Sequence, residues 1–298
     1  MIGPVLFVIN PISGDEDKTE FLKSTYDKLN RLNIEFDSFT TTGKEDSEML
    51  TSYLAKKNFD RILVLGGDGT ILMAALAQND KQIPIGIIPM GSANGLATDL
   101  GIPSDIYEAL DQNLNTNYFK SIDLIQVNDQ YYCAHIGDVG LNANLVNSYS
   151  KDENRGMKTY AKYFIEQFKN PKLFKVNIES SRYGSIEDEV YMVAICNSKK
   201  YGTGVSLNTI GNMSDGKFEI VLIRQVNFKG LIKAGLSIFD PEFINDPDHK
   251  VYSLDEAKIS FPEKRLLQLD GEVIGKFKDL KIKCIHNALK ICSLNDDK

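Results

Sequence analysis

Tryptophan is absent from this chain of 298 residues, histidine occurs three times and cysteine four times. His135, His249 and His286 sit in no HExxH spacing and no triad neighbourhood, so they read as structural residues rather than zinc ligands or general bases. Cys133, Cys196, Cys284 and Cys292 show no CxxC pairing. Scattered cysteines in a chain this long are reduced and buried, and neither a disulfide framework nor a zinc site is expected. No segment approaches the roughly 18 consecutive apolar residues of a membrane span, and the apolar opening Met1–Asn10 has neither a positive flank nor a small-residue cleavage site. A soluble, cytoplasmic protein is the expectation. Positive charge is also short: 34 Lys and Arg face 41 Asp and Glu, for a net charge of −7. No Lys/Arg run interleaves with aromatics, which excludes nucleic acid as the main ligand.

What is present is an ordinary globular composition, 42% apolar and 25% charged, with 22 glycines. At roughly 100 to 200 residues per domain this length predicts two domains, or one large one. The first 120 residues alternate apolar strands with helical patterns. Pro4–Ile9, Ile34–Phe39, Arg61–Leu65 and Ile83–Ile88 read as strands, and Glu20–Leu32, Ser47–Lys56 and Ile71–Gln78 as helices. Continuous apolar strands separated by amphipathic helices imply a parallel sheet covered on both faces, which binds ligands at the carboxyl ends of its strands.

From Ile122 onward strands follow one another: Ile122–Val127, Tyr131–Ile136, Lys175–Ser180, Val190–Cys196, Phe218–Arg224, Lys258–Ser260, Leu266–Leu269 and Leu280–Ile285. Two helical inserts, Gly156–Phe168 and Phe228–Phe239, interrupt them. The division expected is therefore an α/β three-layer domain over residues 1–121 and a β-sandwich domain over 122–298.

The chemistry-bearing segments are glycine loops. Gly66-Gly67-Asp68-Gly69-Thr70 lies between a strand and a helix, where sharp turns and free helix-start amides favour a phosphate. Asp68 would repel that phosphate unless a divalent cation bridges them or the carboxylate contacts a hydroxyl nucleophile, so it points to phosphoryl transfer. The simpler alternative is a tight turn with Asp68 capping the helix. Pro89–Gly95, with Ser92 and Asn94, and Asn10-Pro11-Ile12-Ser13-Gly14 follow two further strands of the same sheet. Three such loops make a shared cleft. Gly211–Lys217 has P-loop spacing but carries Phe218 where Ser or Thr belongs and lacks a strand-to-helix context, and no GxGxxG with a following acid supports hydride transfer.

Taken in order, these segments resemble the diacylglycerol kinase catalytic-domain family, which includes bacterial soluble lipid kinases and the sphingosine and ceramide kinases. NPISG at 10–14, GGDGT at 66–70, IGIIPMGSANGLATDLGIP at 85–103, SIDLIQVN at 121–128, NSKKYGTGVSLNTIGNMSDGKFEIVLI at 197–223 and LDGE at 269–272 carry the likeness. GGDGT alone is shared with NAD kinases; the ordered set is more specific. The resemblance implies ATP-dependent phosphorylation of a lipid hydroxyl, with nucleotide and lipid meeting between the two domains. Residue by residue it implies ATP contacts from Asn10, Pro11, Ser13, Gly14, Gly66, Gly67, Asp68, Gly69, Thr70, Ser92 and Asn94, and from Thr41 within Thr40–Thr42. It also implies a structural Mg²⁺ on Asp215 and the carbonyls of Asn212 and Lys217. Asp270 and Glu272 would lie near the transferred phosphate, one of them as proton acceptor, with Asp68 also a candidate for the catalytic work. Two positions depart from the pattern: Ser92-Ala93-Asn94-Gly95 lacks an acid after the Asn, and Asp138 stands where a small or apolar residue is usual. The implied partner is a lipid at a membrane surface, reached by transient contact, with room for a homodimer. Leu231, Ile232, Leu236 and Phe239 form a stripe that is either a docking face or part of the β domain's core.

Overall fold

Five residues of unbroken apolar sequence, Val5–Ile9, form strand β1, and all five are buried, as a strand covered on both faces requires. A computed structural model describes residues 2–14, 17–140, 143–144, 172–201, 205–206, 208, 210–224 and 250–293. Two compact units emerge, Met1–Ile122 with Asn287–Lys298, and Asp123–His286.

Unit 1 continues with α1 (Thr19–Arg31), β2 (Phe36–Thr40), α2 (Asp46–Lys56), β3 (Arg61–Gly66), α3 (Asp68–Leu76), β4 (Ile85–Pro89), α4 (Gly95–Asp99), α5 (Ile106–Asn115) and the start of β5 (Tyr118–Val127). Strands β2, β1, β3 and β4 lie side by side in that order, all parallel. Val5, Phe7, Ile9, Leu63, Leu65 and Ile88 pack with Phe21 and Leu29 of α1 and Leu110 and Leu114 of α5. The alternate residues of the same strands are buried too, as are Leu50 and Leu54 of α2 and Ile71 and Ala74 of α3. Helix α5, absent from the expected elements, starts at Asp105, whose carboxylate accepts from the Tyr107 and Glu108 amides.

Because the chain steps from β1 to β2 on one side and then to β3 on the other, the loops after β1 and β3 diverge at the sheet's switch point. This is where open α/β sheets form their binding crevice.

The expected boundary assigned the carboxyl-terminal stretch to the second domain, whereas Asn287–Lys298 belongs to unit 1. Ile291 pairs in parallel with Ile85 on β4, and Leu289, Ile291 and Cys292 are buried. At about 1.5–3 kcal/mol for each large apolar side chain, that burial ties the segment to the parallel sheet.

Unit 2 is antiparallel and sandwich-like. After β5 come β6 (Tyr131–Cys133), β7 (Ile136–Gly140), β8 (Phe174–Ser180), β9 (Gly184–Val190), β10 (Met192–Cys196), the short pair β11 (Lys200–Tyr201) and β12 (Val205–Ser206), β13 (Phe218–Ile223), β14 (Lys250–Leu254), β15 (Glu256–Leu269) and β16 (Glu272–Ser293). The ladder runs β14-β13-β10-β7-β15-β16, the β8–β9 hairpin joins β15, and β5 pairs with β16 and β6. Val139, Ile178, Val193, Ile195, Phe218, Ile220, Leu267, Leu280 and Ile282 belong to one apolar core. The strand expected over Tyr131–Ile136 is split into β6 and β7, since the amides of Ala134, His135 and Ile136 all turn to the carboxylate of Asp270. The helical inserts expected at Gly156–Phe168 and Phe228–Phe239 lie outside the described residues.

Candidate functional site

In unit 1 the sequence-selected residues gather at the carboxyl ends of β1, β2, β3 and β4. The Asn10 side chain donates to Thr70 Oγ1 at 3.1 Å, and its main-chain amide donates to the Leu65 carbonyl at 3.0 Å, so the loops after β1 and β3 are joined. Asn10 Oδ1 accepts from the Ile12 amide and the Asn10 carbonyl accepts from Ser13 Oγ, which folds Pro11–Gly14 back over the strand end. Gly14 holds φ +65°, and a Cβ there would come 2.8 Å from the Met90 carbonyl oxygen, so glycine is needed for both backbone and space. The Thr41 amide donates to the Ile9 carbonyl at 2.8 Å, bringing the end of β2 alongside.

Helix α3 starts at Asp68, three residues before the expected Ile71, with Gly67 as its N-cap. Asp68 does not cap its own helix. Its carboxylate reaches the next loop and accepts from the amides of Gly95 (2.9 Å) and Leu96 (3.1 Å), the first turn of α4. The Asn94 side chain closes that loop in both directions, accepting from the Gly91 amide and donating to the Gly91 carbonyl, each at 2.8 Å. Asn94 itself is left-handed, with φ 49°. Where the loops after β3 and β4 meet, a Cβ on Gly91 would fall 2.5 Å from Gly67 Cα. Gly69 and Ser92 are exposed at this rim. The arrangement offers an anion the amides of a glycine turn and a helix start, beside a carboxylate whose two oxygens already accept from the amides of Gly95 and Leu96.

In unit 2, Asp270 and Gly271 are the two turn residues of the β15–β16 hairpin, with Leu269 paired to Glu272. Positive φ at both, 47° and 85°, marks a type I′ turn. The Asp270 carboxylate accepts from the amides of Ala134 (2.7 Å), His135 (2.9 Å) and Ile136 (3.0 Å) and from Cys133 Sγ at 3.1 Å. Burial, and then the Asp270 charge, push the Cys133 thiol well up, which keeps it a donor. Glu272 is exposed.

The loop before β13 carries Asn212, Asp215 and Lys217. Asp215 Oδ1 accepts from the Lys217 amide and Asn212 Oδ1 from the Ser214 amide, each at 3.1 Å. The loop is anchored by Asp123, a fully buried carboxylate that accepts from the Gly216 amide at 2.7 Å and contacts His286 Nδ1 at 2.8 Å. As a donor set, one carboxylate and two carbonyls are hard oxygen ligands of the kind Mg²⁺ takes, with water filling the remaining positions. No group of three His, Cys, Asp or Glu side chains suited to a metal occurs among the described residues.

Residues 4–127 match the diacylglycerol kinase catalytic domain, and residues 140–293 match the YegS C-terminal NAD kinase β-sandwich-like domain. The chain belongs to the diacylglycerol kinase catalytic-domain family. A diacylglycerol kinase of Bacillus subtilis is 29% identical over 274 residues, covering 90% of this chain and 89% of the relative. One from Staphylococcus carnosus is 23% identical, covering 90% and 88%. A crystal structure of a diacylglycerol kinase from Bacillus anthracis, 21% identical, superposes with a TM-score of 0.74 over 98% of this chain and 97% of that one. Yeast NADH kinase, 10% identical, shares the fold with a TM-score of 0.54 over 99% and 84%.

Within this diacylglycerol kinase family chain, sequence reading located both the unit 1 loops and the LDGE turn. It gave no role to Asp123, Cys133 or Gln268. Asp123 does carry a signal, an acid inside the apolar run Ser121–Val127, where only a fully bonded carboxylate is tolerated. His286, read as structural, does have a structural partner in Asp123. The Gly211–Lys217 loop leads into a strand rather than a helix, as its rejection as a P-loop anticipated.

Proposed function

We propose that this family member transfers the γ-phosphoryl group of ATP to a hydroxyl of diacylglycerol or a related sphingoid lipid. The observation that supports this most directly is the joined set of loops at the switch point of unit 1, in a chain whose relatives are named diacylglycerol kinases along nearly their whole length. In this reading Asn10, Pro11, Ser13, Gly14, Thr41, Gly66–Thr70, Ser92 and Asn94 hold the nucleotide, and Asp270 or Glu272 accepts the hydroxyl proton. Mg²⁺, when bound by Asp215 and the carbonyls of Asn212 and Lys217, supplies positive charge that fixes the loop. Positioning and charge neutralisation do most of the work in such a transfer.

A second reading, phosphorylation of NAD, is favoured by the fold shared with yeast NADH kinase and by the name of the matched carboxyl-terminal domain. ATP consumption measured over a panel of diacylglycerols, sphingoid bases and ceramides, with NAD as a further acceptor, separates them. The lipid reading expects a phosphorylated diacylglycerol or sphingoid product and no NADP. NADP formation, or ATP left intact with every acceptor, overturns it. Lipid access is expected to be a transient peripheral contact, so vesicle sedimentation should recover the protein mainly in the supernatant.

A further inference from the structure

Asp138 is a carboxylate with no exposure at all, in the middle of β7, where the family resemblance leads one to expect a small or apolar side chain. Burying an acid in a sheet core is costly unless its oxygens are bonded, and here they are. Oδ1 accepts from the Ala143 amide at 2.8 Å, and Oδ2 accepts from Gln268 Nε2 at 2.5 Å, its register partner on β15. The other end of the Gln268 amide, Oε1, accepts from the Gly271 amide at 2.8 Å. In a two-residue hairpin the second turn residue's amide has no partner on the ladder. Gln268 supplies one.

We infer that Asp138 and Gln268 are positioning residues for the reacting carboxylates: a buried, one-directional hydrogen-bond relay that fixes the Asp270–Glu272 turn. The inference rests on the reading of that turn as the proton-accepting site. The turn has two anchors, and both come from β7 and the residues just before it. Asp270 is held by the amides of Ala134, His135 and Ile136, while Gly271 is held through Gln268 by Asp138, two residues further along. β7 and β15 lie too close for any side chain at Gly137, where a Cβ would stand 2.4 Å from Leu269 Cδ2 and 2.9 Å from the Gln268 carbonyl oxygen. The two anchors therefore move as one body.

The polarity of the relay makes it testable. An asparagine at position 138 has one acceptor for two donors, so it leaves a donor facing a donor at Ala143, Gln268 or Gly271, whichever way the two amides are flipped. A glutamate at position 268 sets two carboxylates against each other. Exchanging both restores these three bonds: the amide now on β7 accepts from Ala143 and donates to the carboxylate now on β15, which in turn accepts from Gly271. Asp138→Asn, Gln268→Glu and the double variant are compared by kcat on diacylglycerol in mixed micelles, by KM for ATP, and by hydrogen exchange of the peptide spanning 266–272. Each single variant should lose at least about tenfold in kcat, with KM for ATP within about threefold, and should exchange faster at the turn. The double variant should recover both. Singles with wild-type kcat and exchange, or a folded double variant no better than the singles, overturn the relay. Should a single variant fail to fold, the double decides: folded and active supports the relay, unfolded or inactive overturns it. A wild type that phosphorylates no lipid removes the catalytic role together with the proposed function, and unchanged exchange in the singles then overturns the relay itself.

Discussion

A carboxylate set into a phosphate-binding turn is repelled by its own ligand unless something else holds it, and Asp68 is held by the amides of Gly95 and Leu96. Its charge is spent on latching two loops together. Asp68→Asn keeps one acceptor and loses the other, so stability should fall by about 1.5–3 kcal/mol, the range for a hydrogen bond to a charged group. Turnover should fall with it, by at least about tenfold, if the carboxylate also serves the transfer step. Thermal melts and kcat measured on the same preparation separate the two; stability lost with turnover intact leaves only the latch. Glu219 offers a pH signature. It is buried on β13, accepting from Asn208 Nδ2 at 2.6 Å and Ser253 Oγ at 2.9 Å, and burial pushes its carboxyl above the ordinary 4.5. With the folded value raised, its contribution to stability is complete below pH 4.5 and is lost as pH climbs through the raised value. A glutamine at position 219 can still accept from Asn208 and donate to Ser253, so Glu219→Gln should flatten this part of the pH dependence. Urea denaturation at pH 4.5 and about pH 7.5 measures it, and an unchanged slope would refute the assignment.

At the scale of elements, the loops after β3 and β4 meet backbone to backbone at Gly67 and Gly91. Gly91→Ala brings a methyl group to 2.5 Å from Gly67 Cα, where no flexible side chain can yield. The variant should fold, because the strands behind the loops are untouched, and should lose at least about tenfold in kcat/KM for ATP through loop displacement. Wild-type ATP kinetics in the variant would show that the loop contact does not matter to the nucleotide. Strands β1, β3 and β4 were legible as unbroken apolar runs, and α1 as a helix with a buried stripe of Phe21, Thr25 and Leu29. Strand β9, Gly184–Val190, was not, since its acidic sequence hides a hairpin partner of β8. The break between β6 and β7 was equally hidden. Nothing in the Tyr131–Ile136 run announces that three of its amides serve a carboxylate more than 130 residues away. The glycine loops of the candidate site were readable for the opposite reason: turn geometry is written in the turn residues themselves, whereas Asp123 and Gln268 act through partners that only the fold supplies.

For the whole molecule, the division into units does not follow the order of the chain. Ending the protein after His286 removes the segment that pairs Ile291 with Ile85 and the bond from Thr116 Oγ1 to the Ser293 carbonyl. The expected result is loss of unit 1 cooperativity while unit 2 persists, seen as two separated transitions in calorimetry or as proteolysis confined to residues before 123. Normal melting of unit 1 in the truncated chain would refute it. The same feature sets an order of events on the ribosome. Domains completed amino-terminus first can fold as they emerge, at roughly 5–20 residues per second of synthesis. Here the parallel sheet must wait for Asn287–Lys298, which leaves the exit tunnel only after all of Asp123–His286. Through that interval, on the order of ten to thirty seconds at those rates, β4 lacks its last parallel neighbour and offers an unpaired backbone edge to any nascent strand nearby. Unit 1 is thus completed only after unit 2 has been made, and the β-rich unit encoded between its two parts can complete its own ladder first.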